Sequence, residues 1–172
     1  GLDSESNLFL DMAKHHSFSV DGVFQSETRI TTVKTRIIGG KQQIVRLDKE
    51  IKTPITELEQ ANLISRFERN ASSFSAIIFE DYNKGVISEN LILQITEIAN
   101  RLQIPIFVDP KFDHFFSYLR AKVFKPNLSE ASFALNKTLK NLVTYVEAAK
   151  ELQSKLHAEA ILLTLGSEGM LI

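Results

Sequence analysis

IPIFVDPKFDHFFSYLRAKVFKPNLSE, residues 104–130, carries the strongest indication of how this chain folds. It contains two short apolar runs, Ile104–Val108 and Ala121–Phe124, and a polar segment that includes a proline follows each run. Apolar runs of this length between turns are typical of strands buried in a parallel sheet. Because ligands of such sheets bind beyond the carboxyl ends of the strands, we expect the polar side chains there to converge: Asp109, Lys111, Asn127 and Glu130.

The segments around this stretch alternate between strand and helix patterns. The strand Ala76–Phe79 is followed by a helix, Glu89–Leu102, with Ser88 as its N-cap, and then by the strand at 104–108. That order, with short links, predicts a strand–helix–strand unit with parallel strands and a right-handed crossover. Four other helices are predicted: one from Ser4, as its N-cap, to about Lys14, one over Thr56–Ser72, one that begins at Leu128, and one over about Leu139–Leu156. The other predicted strands are Ala160–Thr164 and one after Gly169.

A β-hairpin is predicted before these units. Arg29–Ile38 and Lys41–Leu47 are rich in β-branched residues and flank Gly39-Gly40, a dipeptide typical of a two-residue turn. The alternation of side chains along a strand puts Lys34 and Arg36 on one face. We expect the hairpin to form a lid or an edge ribbon. The whole chain is therefore predicted as one α/β domain, with a mostly parallel sheet flanked by helices and an appended hairpin.

Composition and charge narrow the classes of function. The formal net charge is -1, which gives no electrostatic reason to expect nucleic acid or an anionic membrane as a partner. The chain has no cysteine, so disulfides and thiolate metal sites are excluded. No apolar run approaches the roughly 20 residues of a membrane helix, and the acidic start Gly1–Glu5 is unlike a signal peptide. A cytoplasmic protein is the expectation. Because Met170–Ile172 ends within an apolar strand pattern, we also expect a piece of a longer protein.

Asn127 and Glu130 permit two interpretations. Asn at a helix N-cap with Glu three residues later is a capping box, which satisfies the first N–H groups of the helix. A carboxylate beside a helix N-terminus also suits hydrated Mg²⁺, which commonly binds one or two carboxylates and keeps several waters. The two functions are compatible in one residue pair.

Three loops combine acidic, basic or glycine residues just after predicted strands. Asp81–Gly85 (DYNKG) and Asp109–Lys111 (DPK) each place a carboxylate and a lysine there, and lysine suits a phosphate as a mobile point charge. Solvated loop charges are the alternative for each motif. Thr164–Gly169 (TLGSEG) lets backbone N–H groups approach a phosphate or a purine, but it also fits a plain hairpin turn.

Taken in this order, these motifs resemble those of the pfkB (ribokinase-like) family of ATP-dependent sugar kinases. The similarity is strongest to the branch that phosphorylates heptose 7-phosphate, whose kinase domain is fused to a heptose 1-phosphate adenylyltransferase. Gln42–Asp48 (QQIVRLD) points to that branch, whereas the Asn-x-x-Glu and Asp-Pro-Lys elements are shared across many pfkB kinases. The segments that carry the resemblance are Thr31–Arg36, Gln42–Asp48, Asp81–Gly85, Val108–Lys111, Lys125–Glu130 and Leu163–Met170.

The resemblance implies a ribokinase-like (Rossmann-like) fold and transfer of the γ-phosphate of ATP, with Mg²⁺, to a sugar phosphate. The implied reaction converts heptose 7-phosphate to heptose 1,7-bisphosphate in ADP-heptose synthesis for the lipopolysaccharide core. Segment 29–48 is implied to be a lid over the sugar and a surface for homodimer formation. The implied nucleotide-binding residues are Lys111, Asn127, Glu130, Thr164, Gly166 and Gly169. Among these, Asn127 and Glu130 are implied to hold Mg²⁺ through water. The implied substrate-binding residues are Lys34, Arg46, Asp48, Asp81, Lys84 and Asp109.

Two motifs of the family do not occur in the chain. They are the Gly-Gly-x-x-x-Asn sugar-binding stretch and the Gly-Ala-Gly-Asp motif that carries the catalytic base. Residues 1–172 are therefore expected to form a partial kinase domain that contains no catalytic base and is inactive by itself. Two alternatives stay open. One is a pfkB kinase for another sugar or a nucleoside, and the other is a module that binds a nucleotide or sugar phosphate without catalysis.

Overall fold

The computed structural model describes residues 1–172, with five α-helices and eight strands. In chain order these are α1 (Ser4–His15), β1 (Val33–Gly39), β2 (Gln42–Lys49), α2 (Glu57–Asn70), β3 (Ile77–Glu80), α3 (Glu89–Arg101), β4 (Ile106–Asp109), β5 (Val123–Phe124), α4 (Leu128–Leu135), α5 (Leu142–Leu156), β6 (Ala160–Ile161), β7 (Leu163–Thr164) and β8 (Met170–Leu171). None of the helices is both long and apolar enough to cross a bilayer.

The core is built on a four-stranded sheet in the order β3-β4-β5-β6. Every neighbouring pair in it is parallel, so the four strands point toward the same edge. Val108, Phe124 and Ile161, from three neighbouring strands, are at most 4% exposed. Helix α3 adds the apolar side chains of one face to this core: Leu91, Ile92, Ile95, Ile98 and Ala99. The predicted parallel sheet flanked by helices is confirmed.

β1 and β2 form the predicted antiparallel hairpin, but its turn is Gly40-Lys41 rather than Gly39-Gly40, because Gly39 still pairs with Gln42. Gly40 has a φ of +61°, which glycine adopts without steric cost. Paired residues of an antiparallel ribbon lie on the same face. One face is therefore charged and carries Lys34, Arg36, Arg46 and Asp48. The opposite face carries three apolar side chains that are 39–55% exposed: Ile37, Val45 and Leu47.

The predicted start of α1 is wrong by one residue. Asp3, rather than Ser4, is the N-cap, because its Oδ1 accepts the N–H of Ser6 at 2.9 Å. Its second oxygen accepts the N–H of Thr31 at 2.8 Å. These hydrogen bonds hold the pKa of Asp3 well below its usual range. The cap therefore also ties α1 to the segment that leads into the hairpin.

Two later boundaries also differ from the prediction. Helix α5 begins at Leu142 rather than near Leu139, because Asn141 is its N-cap and accepts the N–H of Thr144 at 3.0 Å. The predicted strand Ala160–Thr164 is divided between β6, which stays in the parallel sheet, and β7, which pairs antiparallel with β8. The four-stranded sheet is thus wholly parallel, and β7 and β8 form a separate two-stranded antiparallel sheet.

Candidate functional site

The carboxyl ends of β3, β4 and β5 lie side by side at one edge of the sheet. Glu80, the last residue of β3, pairs with Asp109, the last residue of β4. One residue further, the N–H of Asp81 donates to the carbonyl of Asp109 at 3.1 Å. Asn127 follows β5 and forms a parallel bridge with Thr164. The polar residues after the strands therefore share this edge, as their sequence positions lead us to expect.

Asn127 and Glu130 form a complete capping box at the start of α4. Oδ1 of Asn127 accepts the N–H of Glu130 at 2.8 Å, and Oε2 of Glu130 accepts the N–H of Asn127 at 2.9 Å. The other carboxylate oxygen, Oε1, accepts a hydrogen bond from Nζ of Lys111 at 2.5 Å. Glu130 is only 2% exposed. One buried carboxylate thus caps the helix and also fixes the lysine of the DPK motif.

The charge of Lys111 is set by its surroundings. Partial burial pulls the pKa of Lys111 down, but the hydrogen bond and negative charge of Glu130, with the charge of Asp109, raise it above its usual value. Lys111 therefore stays cationic at neutral pH. Asp109 is itself paired with Lys125, whose Nζ lies 2.9 Å from Oδ2. This part of the edge holds two lysines and two carboxylates, and the lysines keep a further capacity to donate to a phosphate.

The residues at α4 fit a hydrated Mg²⁺ better than a directly bound one. No three histidine or carboxylate side chains come together closely enough to hold a metal ion by themselves. Glu130 supplies one carboxylate, and each of its oxygens accepts one hydrogen bond and retains a second lone pair. Since Mg²⁺ commonly keeps several waters and uses one or two carboxylates, water-mediated contact fits this donor set.

A cavity of about 690 Å³ lies between the charged face of the hairpin and the loop after β3. Nζ of Lys34 lies 5.8 Å from the ring centroid of Tyr82, and the Tyr82 hydroxyl donates to Glu80 at 3.0 Å. Neither Lys34 nor Arg36 forms an ion pair. The cavity, which we call the hairpin cavity, is lined by Thr32, Lys34, Arg36, Glu80, Asp81, Tyr82, Lys84, Val86 and Ile87.

Lys84 stands where the hairpin cavity meets a second cavity of about 600 Å³. This second cavity, the basic cavity, has as its charged and histidine lining three lysines, Lys52, Lys84 and Lys111, together with Asp113 and His114. Nζ of Lys84 lies 2.5 Å from Oε2 of Glu50, just after β2. The hydrogen bond from Lys84, with the charges of Lys84 and Lys52, lowers the pKa of Glu50. A lysine of the DYNKG loop is thus held by a carboxylate at the base of the hairpin.

The remaining predicted residues lie outside the two cavities, and so do Asp109, Asn127 and Glu130. Arg46 and Asp48 line neither cavity, and they form an ion pair with each other at 3.1 Å on the hairpin. Thr164 lies beside Asn127. Gly166 and Gly169 form the turn between β7 and β8, with φ values of +64° and +99° and open space around both.

Two residues of the site were not identified from sequence. Tyr82 lies within the quoted DYNKG motif, but its contact with Lys34 joins segments that are distant along the chain. Glu50 carries no local signal, because only the folded hairpin brings it to Lys84. Alternation along β1 does put Arg36 on the face of Lys34, and that face lines the hairpin cavity.

Comparison with known proteins finds one family and relatives that match all or nearly all of the chain. The family model for the pfkB family carbohydrate kinases matches residues 1–172. The chain is 35% identical over 170 residues to the bifunctional protein HldE of Helicobacter pylori strain J99, covering 99% of this chain and 37% of that protein. It is 32% identical over 172 residues to the bifunctional protein HldE of Aliarcobacter butzleri, covering 100% of this chain and 36% of that protein. The chain thus spans little more than a third of the length of these relatives.

Solved structures share the fold at low sequence identity. The tetrameric inhibited form of phosphofructokinase-2 from Escherichia coli has a TM-score of 0.74 at 14% identity, over 98% of this chain and 55% of that one. Ribokinase from Giardia lamblia has a TM-score of 0.76 at 12% identity, over 99% of this chain and 56% of that one. Both likenesses establish a ribokinase-like fold.

Proposed function

The chain belongs to the pfkB family of carbohydrate kinases, and on that premise we propose that the complete protein transfers the γ-phosphate of ATP to a sugar that already carries a phosphate. The proposed acceptor is heptose 7-phosphate and the product is heptose 1,7-bisphosphate, a step in ADP-heptose synthesis. The resemblance of the hairpin segment Gln42–Asp48 to the heptose branch supports this acceptor, and so does the similarity to the two HldE proteins.

The observation that carries the proposal is the excess of free positive charge in the hairpin cavity. Lys34 and Arg36 line it without a carboxylate partner. Two carboxylates also line the cavity: Glu80 is exposed and accepts the Tyr82 hydroxyl, whereas Asp81 is 3% exposed and both of its oxygens accept hydrogen bonds from the protein. Lys34 and Arg36 therefore face one exposed carboxylate and exceed it in charge. An arginine can grip a phosphate through two parallel hydrogen bonds, which a neutral sugar cannot offer. A phosphorylated sugar therefore matches the lining better than an unphosphorylated one.

The basic cavity suits the phosphates of ATP. Lys84 lies at its junction with the hairpin cavity and Lys111 lies further along it, so a phosphoryl group passing from one cavity to the other stays near a lysine. Bound Mg²⁺, held through water by Asn127 and Glu130, would supply charge neutralisation at the phosphates. Thr164 and the glycine turn after it are proposed to face the nucleotide.

Arg36→Ala and Arg46→Ala in the complete protein test the assignment of the acceptor. A charge-assisted hydrogen bond is worth about 1.5–3 kcal/mol, so Arg36→Ala should lower kcat/KM for heptose 7-phosphate by roughly ten- to a hundredfold. Arg46→Ala should lower it less, because that guanidinium is tied to Asp48. KM for ATP should change little in either variant. An Arg36→Ala effect confined to ATP, or equal use of unphosphorylated heptose by wild type, would contradict the assignment.

The exposed apolar face of the hairpin supports a second element of the proposal, a homodimer. Ile37, Val45 and Leu47 are 39–55% exposed on one face of the ribbon, and contiguous apolar surface of this kind marks interaction sites. Leu47→Glu should convert a dimer of the complete protein to monomer in sedimentation velocity. A wild-type protein that is monomeric at micromolar concentration would contradict this element and leave the proposed reaction intact.

A further inference from the structure

Tyr118 is a buried phenol close to the site for which the proposed function provides no role. It lies between β4 and β5, is 2% exposed, and packs against Phe79 and Phe124 at centroid distances of 5.4 and 6.4 Å. Its hydroxyl donates to Oδ2 of Asp81 at 2.9 Å. A buried phenol usually has such a partner. Burial, together with the charge of Asp81, raises the pKa of Tyr118, so the hydroxyl remains a protonated donor.

Asp81 transmits this contact to the loop after β3. Its Oδ1 accepts the N–H of Asn83 at 2.8 Å, which closes a side-chain-mediated turn. Asn83 has a φ of +50°, in the left-handed region that asparagine tolerates better than most residues. Because Tyr118 and Asn83 occupy both carboxylate oxygens of a residue that is 3% exposed, Asp81 supports the conformation of the loop from inside the protein.

The next residue of the loop, Lys84, is held from the hairpin side. Its carbonyl accepts a hydrogen bond from the guanidinium of Arg29, 2.5 Å away, and its ammonium pairs with Glu50. Gly85 then contacts the segment that connects β2 to α2, where the carbonyl of Gly85 accepts the N–H of Ile55 at 2.8 Å. The position of Lys84 at the junction of the two cavities thus depends on the hairpin on one side and on the Asp81 turn on the other.

We propose that Tyr118 is a positioning residue for Lys84, acting through Asp81 and the turn at Asn83. Its connection to catalysis rests on the proposed function, in which Lys84 contacts the transferred phosphate. Loss of the hydroxyl leaves Oδ2 of Asp81 buried without its donor, and a buried unsatisfied carboxylate oxygen is costly. The carboxylate then turns toward water, the bond to Asn83 is lost, and Lys84 leaves the junction.

Tyr118→Phe in the complete protein tests this, because it removes the hydroxyl and keeps the ring packing. Tyr145→Phe is the matched control, since Tyr145 on α5 is also buried, at 8% exposure, and takes no part in the loop contacts. The first readout needs no substrate. It is the rate at which an amine-reactive acylating reagent modifies Lys84, measured by mass spectrometry relative to Lys150. We expect an increase of about threefold or more in Tyr118→Phe and none in the control.

The second readout is the steady-state kinetics of the two variants. KM for the sugar phosphate should rise about tenfold in Tyr118→Phe, the size expected for a lysine that has left its position, and KM for ATP should rise as well, because Lys84 lines both cavities. An unchanged labelling rate of Lys84 overturns the proposal whether or not the protein is a kinase. Faster labelling with an unchanged KM for the sugar phosphate overturns the role of Tyr118 in substrate positioning.

The labelling of Lys84 still decides the proposal if the wild-type protein is inactive or if the variant is unstable. If the wild-type protein phosphorylates no sugar phosphate, the proposed function fails, and the labelling of Lys84 alone decides whether Tyr118 positions it. If Tyr118→Phe is too unstable to measure, Asp81→Ala replaces it, because it removes both acceptor oxygens and leaves the phenol in place. Asp81→Ala should then give the same faster labelling, and normal labelling would overturn the proposal.

Discussion

Gly85→Ala probes the contact between the DYNKG loop and the base of the hairpin. Gly85 has a φ of +77°, and a Cβ at this position would lie 2.0 Å from the carbonyl oxygen of Thr53 and 2.6 Å from its carbonyl carbon. Both atoms belong to the backbone, so no side-chain rotation relieves the overlap. Either the DYNKG loop or the segment that connects β2 to α2 has to move to accommodate the methyl group.

The expected loss of stability follows from two contributions. An alanine in the left-handed region costs about 1–2 kcal/mol. The movement also disrupts the hydrogen bond from the N–H of Ile55 to the carbonyl of Gly85, now 2.8 Å long, which is worth about 1 kcal/mol. With some residual overlap, we expect Gly85→Ala to lower the free energy of unfolding by about 2–4 kcal/mol. KM for the sugar phosphate should rise as well, because Lys84 is the preceding residue.

Gly40→Ala separates the close contact from the backbone strain. Gly40 has a φ of +61°, but nothing lies within 4 Å of a Cβ built there. Gly40→Ala should therefore lower the free energy of unfolding only by the cost of an alanine in the left-handed region, about 1–2 kcal/mol. The assay is urea unfolding of the complete protein and both variants, followed by circular dichroism. Equal losses for Gly85→Ala and Gly40→Ala would refute the contact with Thr53.

Two further predictions concern the paired lysines. Glu130→Gln keeps an oxygen for the capping box but removes the charge that faces Lys111. It should therefore lower turnover at limiting Mg²⁺ at least about tenfold while reducing the free energy of unfolding by only about 1–3 kcal/mol. An unaltered rate and Mg²⁺ dependence would leave only the capping function. Lys84 lowers the pKa of Glu50 below its ordinary value of 4.5, so this pair stabilises the fold above about pH 4.5 and its contribution is lost as the pH falls further. Urea unfolding between about pH 6 and pH 3 should consequently show a smaller fall in unfolding free energy for Glu50→Gln than for wild type, and parallel curves would contradict the pairing.

The parallel sheet and the edge that carries the site are predictable from sequence, because both depend on local patterns. The apolar runs 104–108 and 121–124 are short, bounded by polar turns, and followed by chemically suitable residues. The capping box of Asn127 and Glu130 is likewise visible, since its two members are three residues apart. These features need no knowledge of how distant segments meet.

The contacts that fix the lysines are not predictable in this way. Lys111 meets Glu130 across 19 residues, and Lys84 meets Glu50 only after the hairpin has folded back onto the loop. The inward orientation of Asp81 depends on Tyr118, which comes 37 residues later. A solvated loop carboxylate and a buried one have the same sequence signature, and only the tertiary structure distinguishes them.

Substrate choice by the complete wild-type protein is the most direct test of the proposed function. Heptose 7-phosphate and unphosphorylated heptose are each incubated with ATP and Mg²⁺, and ³¹P NMR follows ADP and the new sugar phosphate resonance. We predict that heptose 7-phosphate is converted to a bisphosphate with equimolar ADP, and that the unphosphorylated sugar reacts at least about tenfold more slowly, as expected from the loss of one charge-assisted phosphate contact. Binding of the sugar phosphate without any ADP, or equal conversion of the two sugars, would contradict a kinase whose hairpin cavity selects a phosphorylated acceptor.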